Sequence, residues 1–188
     1  PLPEQRAIAA VLSDVDAYLT ELTALVAKKR AVKQAAMQLL LTGKQRLSGF
    51  EGAWEVRKLG EMAEIDTDNL LSDTPDEYLF KYIALENVDN GSLVGFTEHR
   101  YKDAPSRARR KLIFDDVLLS TVRPNLKSHF HFRLDSNNFI CSTGFSVLRS
   151  INNITSPGFI FHSIMGPLVE KQIDNLVTGS NYPAINGK

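Results

Sequence analysis

The chain has 188 residues, of which 43% are hydrophobic and 23% are charged, and its 22 Lys and Arg residues balance its 22 Asp and Glu residues. This composition is typical of a globular protein with enough apolar material for a core. The zero net charge argues against a uniformly basic surface for nucleic acid, so any phosphate-binding region has to be local.

Membrane and secretory features are also excluded by the pattern of residues. No run approaches the roughly 18 apolar residues that a membrane span needs, and Cys141 is the only cysteine, so no intrachain disulfide forms. No signal peptide opens the chain, which begins at Pro1 without a methionine and so suggests a processed or incomplete chain. We therefore expect a cytoplasmic protein with no membrane partner.

The first segment is predicted to be one long helix over residues 4–42, about 58 Å in length. Pro3 and Glu4 favour the first helical turn, and Gly43 is suited to end the helix. Such a helix is longer than a small domain is wide, so another surface has to cover its apolar side. The apolar residues recur at helical spacing in two adjacent rows, the first being Ile8, Leu12, Val15, Leu19, Leu22 and Val26, and the second Val11, Tyr18, Leu25, Val32 and Leu39.

Beyond the glycines at 43, 49 and 52 the pattern changes to short β-like runs separated by turn residues. Strands are predicted at 82–85, 117–120, 128–132, 139–141 and 146–148, and short helices at 159–165 and 168–176. The predicted fold class is α+β. A long N-terminal helix of coiled-coil type (1–47) precedes a globular mixed α/β domain (48–188).

A basic segment lies at 100–111, where six Lys or Arg residues accompany one acid, Asp103. Clustered cations of this kind contact phosphates, and Pro105 with Ser106 indicates a loop that could follow a groove wall. A solvated charged face would explain the same run. The residues predicted to contact DNA here are Lys102, Arg107, Arg109, Arg110 and Lys111.

Two further polar segments are candidates for DNA contact. The first follows a predicted strand at a turn set by Pro124, and its Arg123 either grips a phosphate or guanine or pairs with Asp115 or Asp116 to hold the turn. The second is a small, flexible run before Pro183, which turn formation alone would also explain. The candidates are Thr121, Arg123, Asn125 and Lys127 in the first segment, and Thr178, Ser180, Asn181 and Tyr182 in the second.

Catalytic and metal-binding patterns are missing from the sequence. His129 and His131 share one face of a predicted strand, but no Cys or carboxylate completes a ligand set at a suitable spacing. Neither an Asn/Asp-Pro-Pro-aromatic motif nor a phosphate-cradling Gly-rich loop is present. We therefore predict no catalytic residue, no metal and no cofactor.

The order of several segments resembles the DNA-specificity subunits of type I restriction–modification systems. The strings PLPEQRAIAAVLSDVDAYL (1–19) and AVKQAAMQLLLTGKQRLSGF (31–50) resemble the long helix of that family, and WEVRKLGEMAEI (54–65) resembles the start of a target-recognition domain. Four later strings resemble successive parts of the same domain: YIALENVDNG (82–91), FDDVLLSTVRPNLK (114–127), ICSTGFSVLR (140–149) and LVTGSNYPAI (176–185).

The resemblance implies a non-catalytic role in a larger complex. In that family, two target-recognition domains each recognise half of a split DNA site, and two long helices pair antiparallel to set the spacing. Adenine methyltransferase subunits and a restriction/translocase subunit are the implied protein partners. Because this chain has one helix and one domain, we expect a fragment, a half-length form or a chain with a disordered remainder, pairing with a second half or with itself. The alternative is a helical assembly adaptor whose domain binds protein instead of DNA.

Overall fold

A computed structural model of the chain describes residues 1–135, 138–177 and 184–185. Two compact units divide the chain, Pro1–Glu51 and Gly52–Lys188. The predicted long helix followed by a sheet-containing domain is confirmed, while the functional division of the chain at residue 47 stays a prediction.

The first unit is built on helix α1 (Leu2–Leu40), which has the predicted length of 39 residues. Its start contains a proline in the first turn and Glu4 near the positive end of the helix dipole. Its end lies just before Gly43, which adopts a positive φ of 69° as expected for a residue that terminates a helix. No residue of α1 is buried, and both apolar rows are exposed within this chain.

Among its described residues, the second unit contains ten short strands and three further helices. The remaining helices are α2 (Leu59–Met62), α3 (Pro157–Ile164) and α4 (Pro167–Leu176). The strands are β1 (Ala63–Ile65), β2 (Leu79–Ile83), β3 (Val88–Asp89), β4 (Ser92–Leu93), β5 (Thr97–Arg100), β6 (Ala108–Leu112), β7 (Val117–Ser120), β8 (Phe130–His131), β9 (Phe139–Ser142) and β10 (Phe145–Ser150). Short 3₁₀ turns occur at Leu85–Asn87, Tyr101–Asp103 and Pro124–Leu126.

Two four-stranded sheets form the centre of this unit. Sheet A has the order β1-β10-β7-β8 and sheet B the order β5-β2-β9-β6, with β3 and β4 as a separate pair. All pairings are antiparallel except that of β2 with β9. The two-residue turn that links β9 to β10 therefore carries the chain from one sheet to the other.

Alternation along the strands creates three apolar layers. Successive side chains of a strand point to opposite faces, so Phe139 and Cys141 enter the core that also holds Val147, whereas Ile140 packs with Phe80 on the far side of sheet B. The opposite side of sheet A packs on α3 and α4 through a third cluster, which includes Leu148 and Ile160. The domain thus has the layer order helices, sheet A, core, sheet B, outer cover.

Most predicted elements are present, with some changes in their bounds. Strand β7 coincides with the prediction at 117–120, and α3 and α4 match the two predicted helices within two residues. Strand β2 begins three residues earlier than predicted and ends at Ile83, because Leu85 already belongs to a 3₁₀ turn. The expected loop character of 100–111 is correct only for part of it, since 108–112 is strand β6.

A buried ion pair holds the turn that precedes β7. Asp116 is 1% exposed, and Arg149 on β10 donates to its two oxygens through Nε and Nη2, each at 2.9 Å. Asp116 also accepts the backbone N–H of Ile113 at 2.9 Å. The hydrogen bond to Asp116 raises the pKa of the Arg149 guanidinium, which therefore stays charged.

We predict that Asp116→Asn lowers the free energy of unfolding by about 2–3 kcal/mol, because Arg149 loses its anion in a largely desolvated site. Asp115→Asn is the matched control: Asp115 is the adjacent aspartate, it is partly exposed, and its partners His131 and Arg133 lie outside the buried pair. Asn tolerates the positive φ of 70° at position 115. Urea unfolding at pH 7 measures both variants, and equal losses would contradict the prediction.

His129 fixes the start of the loop that follows β7. Its ring is 2% exposed, and its Nδ1 accepts the backbone N–H of Ser120 at 3.0 Å. Burial, followed by repulsion from Lys127, lowers the pKa of His129 to about 4. The imidazole is therefore neutral at neutral pH, as an acceptor of a backbone N–H has to be.

This depressed pKa predicts a pH-dependent stability. Because the unfolded chain binds a proton near pH 6.5 and the folded chain only near pH 4, the contribution of His129 is full above pH 6.5 and is lost as the pH falls toward 4. Wild-type chain should lose about 2 kcal/mol more than His129→Asn between pH 6.5 and 4.5. Urea midpoints at four pH values test this, with the exposed His162→Asn as control. If the urea midpoints of wild type and His129→Asn changed equally with pH, the prediction would be wrong.

Candidate nucleic-acid interface

One edge of the domain collects loops from both sheets, and we call it the loop edge (residues 105–107, 121–127, 143–144 and 184–185). The β9–β10 turn lies at its centre. The N–H of Thr143 donates to the carbonyl of Arg107 at 2.8 Å, and the N–H of Thr121 donates to the carbonyl of Gly144 at 2.9 Å. The start of β6 and the end of β7 are thereby joined through one two-residue turn.

The loop edge is basic. Its described residues include three cations, Arg107, Arg123 and Lys127, and no acid. Arg107, Arg123 and Asn125 are exposed, as is Thr143. Among the described residues, Arg107 has no side-chain hydrogen bond or ion pair, which leaves its guanidinium available to an anion.

The basic segment 100–111 does not form a single patch. In the strand register, Arg100 lies opposite Leu79 at the start of β2, whereas Ala108 lies opposite Ser142 at the end of β9. Because β2 and β9 run parallel, these two positions lie at opposite ends of sheet B. We call the end that holds 76–78 and 100–103 the opposite edge. Only Arg107 of this segment reaches the loop edge.

The other cations of the segment contact acidic or aromatic groups of the domain. Arg110 Nη2 lies 2.9 Å from Asp66 Oδ2, and Lys111 Nζ lies 3.3 Å from Asp68 Oδ1. Arg109 is the extra residue of a β-bulge in β6, and its guanidinium lies 5.2 Å from the ring centroid of Tyr101. Lys102 pairs with Glu77 at 2.6 Å. DNA contact by these four residues stays a prediction.

The loop after β7 has a strained backbone. Arg123 and Lys127 flank the 3₁₀ turn Pro124–Leu126 with φ values of 48° and 52°, in the left-handed region that non-glycine residues rarely adopt. Strain of this kind is concentrated at functional sites. Lys127 is tied to α4 by an ion pair with Glu170 at 3.0 Å.

Thr121 has a different environment from its neighbours. Its side chain is buried, and its hydroxyl donates to the carbonyl of Gly144 at 2.9 Å. This geometry gives Thr121 a role in positioning the β9–β10 turn. The two carboxylates proposed as structural partners of Arg123 have other contacts, since Asp116 binds Arg149, and Asp115 lies near His131 and Arg133.

The third predicted group, Thr178, Ser180, Asn181 and Tyr182, lies outside the described residues. The chain just beyond it reaches the loop edge. The N–H of Ile185 donates to the carbonyl of Thr121 at 2.9 Å, and Ala184 forms a β-bridge with Val122. Ala184 and Ile185 are therefore paired with the start of the second predicted group.

The sequence prediction missed the importance of the turn at Thr143–Gly144. A Cβ on Gly144 would lie 2.8 Å from Cδ1 of Leu85, so the turn packs tightly against the segment that follows β2. The available signal was the glycine between two apolar β-runs, which is typical of a turn.

Two other expectations concern metal ions and membranes. Within 1–135, 138–177 and 184–185, no three His, Cys, Asp or Glu side chains are grouped to hold a metal ion. Burial raises the pKa of the Cys141 thiol, which therefore stays protonated. In the described part of the chain, no helix is both long and apolar enough to cross a membrane.

No protein-family model and no curated protein matches the chain, but solved structures do. The HsdS subunit from Thermoanaerobacter tengcongensis matches 79% of this chain with 29% sequence identity and a TM-score of 0.64. A chain from a structure concerned with complex assembly and conformational transition of the type I R-M system matches 70% with 30% identity and a TM-score of 0.63.

The chain covers only part of each of these proteins, 38% of the former and 34% of the latter. The two matches nevertheless extend over 70% and 79% of this chain. Their sequence identities of 30% and 29% agree with the similarity in fold. The matches also agree with the resemblance drawn from the order of sequence segments. Over most of its length, the chain is therefore similar to HsdS specificity subunits of type I restriction–modification systems.

Proposed function

We propose that this chain recognises double-stranded DNA through the loop edge of its domain, as the specificity component for one half of a bipartite site. The main support for this proposal is the match in fold and sequence to specificity subunits. The geometry of the loop edge supports the location, because Arg107 is exposed there and has no ion pair among the described residues. Cations of this kind fix register on phosphates, while adjacent loop side chains contact base edges.

The proposal includes no catalytic role for this chain. Methyl transfer to adenine is assigned to methyltransferase subunits that dock on it, and cleavage to a restriction/translocase subunit, as the sequence resemblance implies. A cytoplasmic location is part of the same proposal. Helix α1 would set the distance to a second specificity half, either another copy of this chain or a different one.

The function is tested by binding of the chain, with its methyltransferase partner, to a pool of randomised duplexes. We expect enrichment of one sequence, and affinity that falls steeply as salt rises. Arg107→Gln should weaken binding about threefold to tenfold on all duplexes and make the salt slope shallower by about 1, because one phosphate contact is lost. Arg133→Gln, an exposed cation outside the loop edge, is the matched control.

One outcome would overturn the proposed function, and a second would change the role of Arg107 within it. A chain that enriches no sequence at moderate salt would favour the alternative, a helical adaptor whose domain binds protein. A change of sequence preference in Arg107→Gln, without a general loss of affinity, would make Arg107 a base-contacting residue instead.

The role of α1 gives a separate prediction. Replacing Leu12, Leu19 and Leu22 by Asp puts three charges into the exposed first row, so self-association or docking of the partner should be lost. The control triple Ser13→Asp, Ala17→Asp and Ala24→Asp adds the same charge on the opposite side of the helix. Sedimentation and partner binding measure the result. Unchanged mass and unchanged docking in the first triple would refute the interface.

A further inference from the structure

A strongly acidic stretch of the domain lies along its basic segment. Residues 64–77 contain six acids and no Lys or Arg. The N–H of Leu70 donates to the carbonyl of Arg109 at 2.7 Å, and the N–H of Lys102 donates to the carbonyl of Asp76 at 3.2 Å. Backbone pairing thus holds the two oppositely charged stretches together over the outer face of sheet B.

Glu77 forms ion pairs with two cations at the opposite edge. Its Oε2 lies 2.9 Å from Arg100 Nη1, and its Oε1 lies 2.6 Å from Lys102 Nζ. Each carboxylate oxygen therefore contacts one cation, as two oxygens of a backbone phosphate would. The opposite edge has three acids and two cations, whereas the loop edge has three cations and no acid.

The exposure of these pairs differs from that of the inner pair. The side chain of Glu77 is 63% exposed, and those of Arg100 and Lys102 are 53% and 42% exposed. Arg110 and Asp66 are only 20% and 18% exposed. Exposed ion pairs are weak and exchange readily with ions in solution, so a DNA phosphate competes with Glu77 and not with Asp66.

We propose that Glu77 is a specificity-determining residue that acts without contacting DNA. By occupying Arg100 and Lys102 it keeps the opposite edge from binding phosphates, so duplexes are held at the loop edge, where sequence is recognised. This inference rests on the proposed function. Under this inference, Arg100 and Lys102 at the opposite edge belong to a neutralised surface. Their positive charge does not attract DNA because Glu77 pairs with both.

The test compares Glu77→Gln with Asp73→Asn in the complete chain. Both substitutions raise the net charge by one, and Asp73 is exposed without a side-chain partner among the described residues. Glu77→Gln should bind a duplex of random sequence about threefold to tenfold more tightly than Asp73→Asn in low salt, with a salt slope steeper by about 1 to 2. Enrichment of the preferred sequence from a randomised pool should fall by a similar factor.

The cations themselves provide the second comparison. In a chain that also carries Arg100→Gln and Lys102→Gln, the Glu77→Gln substitution should change random-duplex affinity no more than Asp73→Asn does. An effect larger than that of Asp73→Asn in this background would show that Glu77 acts independently of Arg100 and Lys102 and would overturn the inference.

Three outcomes distinguish the inference from the function on which it rests. Equal behaviour of Glu77→Gln and Asp73→Asn overturns the inference while wild-type enrichment leaves the function in place. An equal rise in affinity for preferred and random duplexes overturns it as well, because Arg100 and Lys102 would then contact DNA in the specific complex. A wild-type chain that enriches no sequence overturns the proposed function and the inference together.

Discussion

One carboxylate, Asp66, joins the two sheets of the domain. It follows β1 in sheet A with a φ of 59°, and its Oδ1 accepts the N–H of Val147 on β10 at 2.8 Å. Its Oδ2 lies 2.9 Å from Arg110 Nη2 on β6, which belongs to sheet B. The position of β6 relative to β10 is therefore set by a partly buried charge pair. The placement of Arg107, three residues before Arg110, depends on it.

How well the sequence predicts each part of this domain depends on how far apart in sequence the interacting residues lie. Helix α1 and strand β7 follow from local patterns, helical spacing in the first case and a run of buried apolar residues in the second, so sequence alone predicts them well. The position of each part of the basic segment depends on the parallel pairing of β2 with β9, which joins residues about sixty positions apart. A charge run that is continuous in sequence is therefore divided between two edges, and no local pattern indicates it.

The candidate site shows the same limit. The sequence predicts Arg107, Thr121 and Arg123 as DNA contacts in two separate segments, but their proximity depends on the turn at Thr143–Gly144. The partner of Arg149 is equally non-local, since Asp116 lies 33 residues away. Residue type and spacing indicate which side chains carry charge, whereas the register of the sheets decides which of them remain exposed.

Charge balance in this chain has two physical forms. Inside the domain, Asp66 with Arg110 and Asp116 with Arg149 are desolvated pairs, and removal of either anion leaves a cation poorly compensated. At the surface, Glu77 with Arg100 and Lys102 is an exposed group whose strength falls with salt. A zero net charge therefore does not argue against DNA binding here, because the cations of the loop edge have no acid in the same loops.

Helix α1 presents a constraint of a different kind. Its two apolar rows are exposed along the chain, and an apolar surface of this extent is rarely left uncovered in water. After Val26 the first row is interrupted by Lys28, Lys29, Arg30 and Lys33, while the second row continues through Val32 and Leu39. The first half of the helix therefore offers a surface wide enough for two neighbours, and the second half offers a single narrow seam. A covering partner should contact the first half most extensively, which is where the Asp substitutions in α1 are placed.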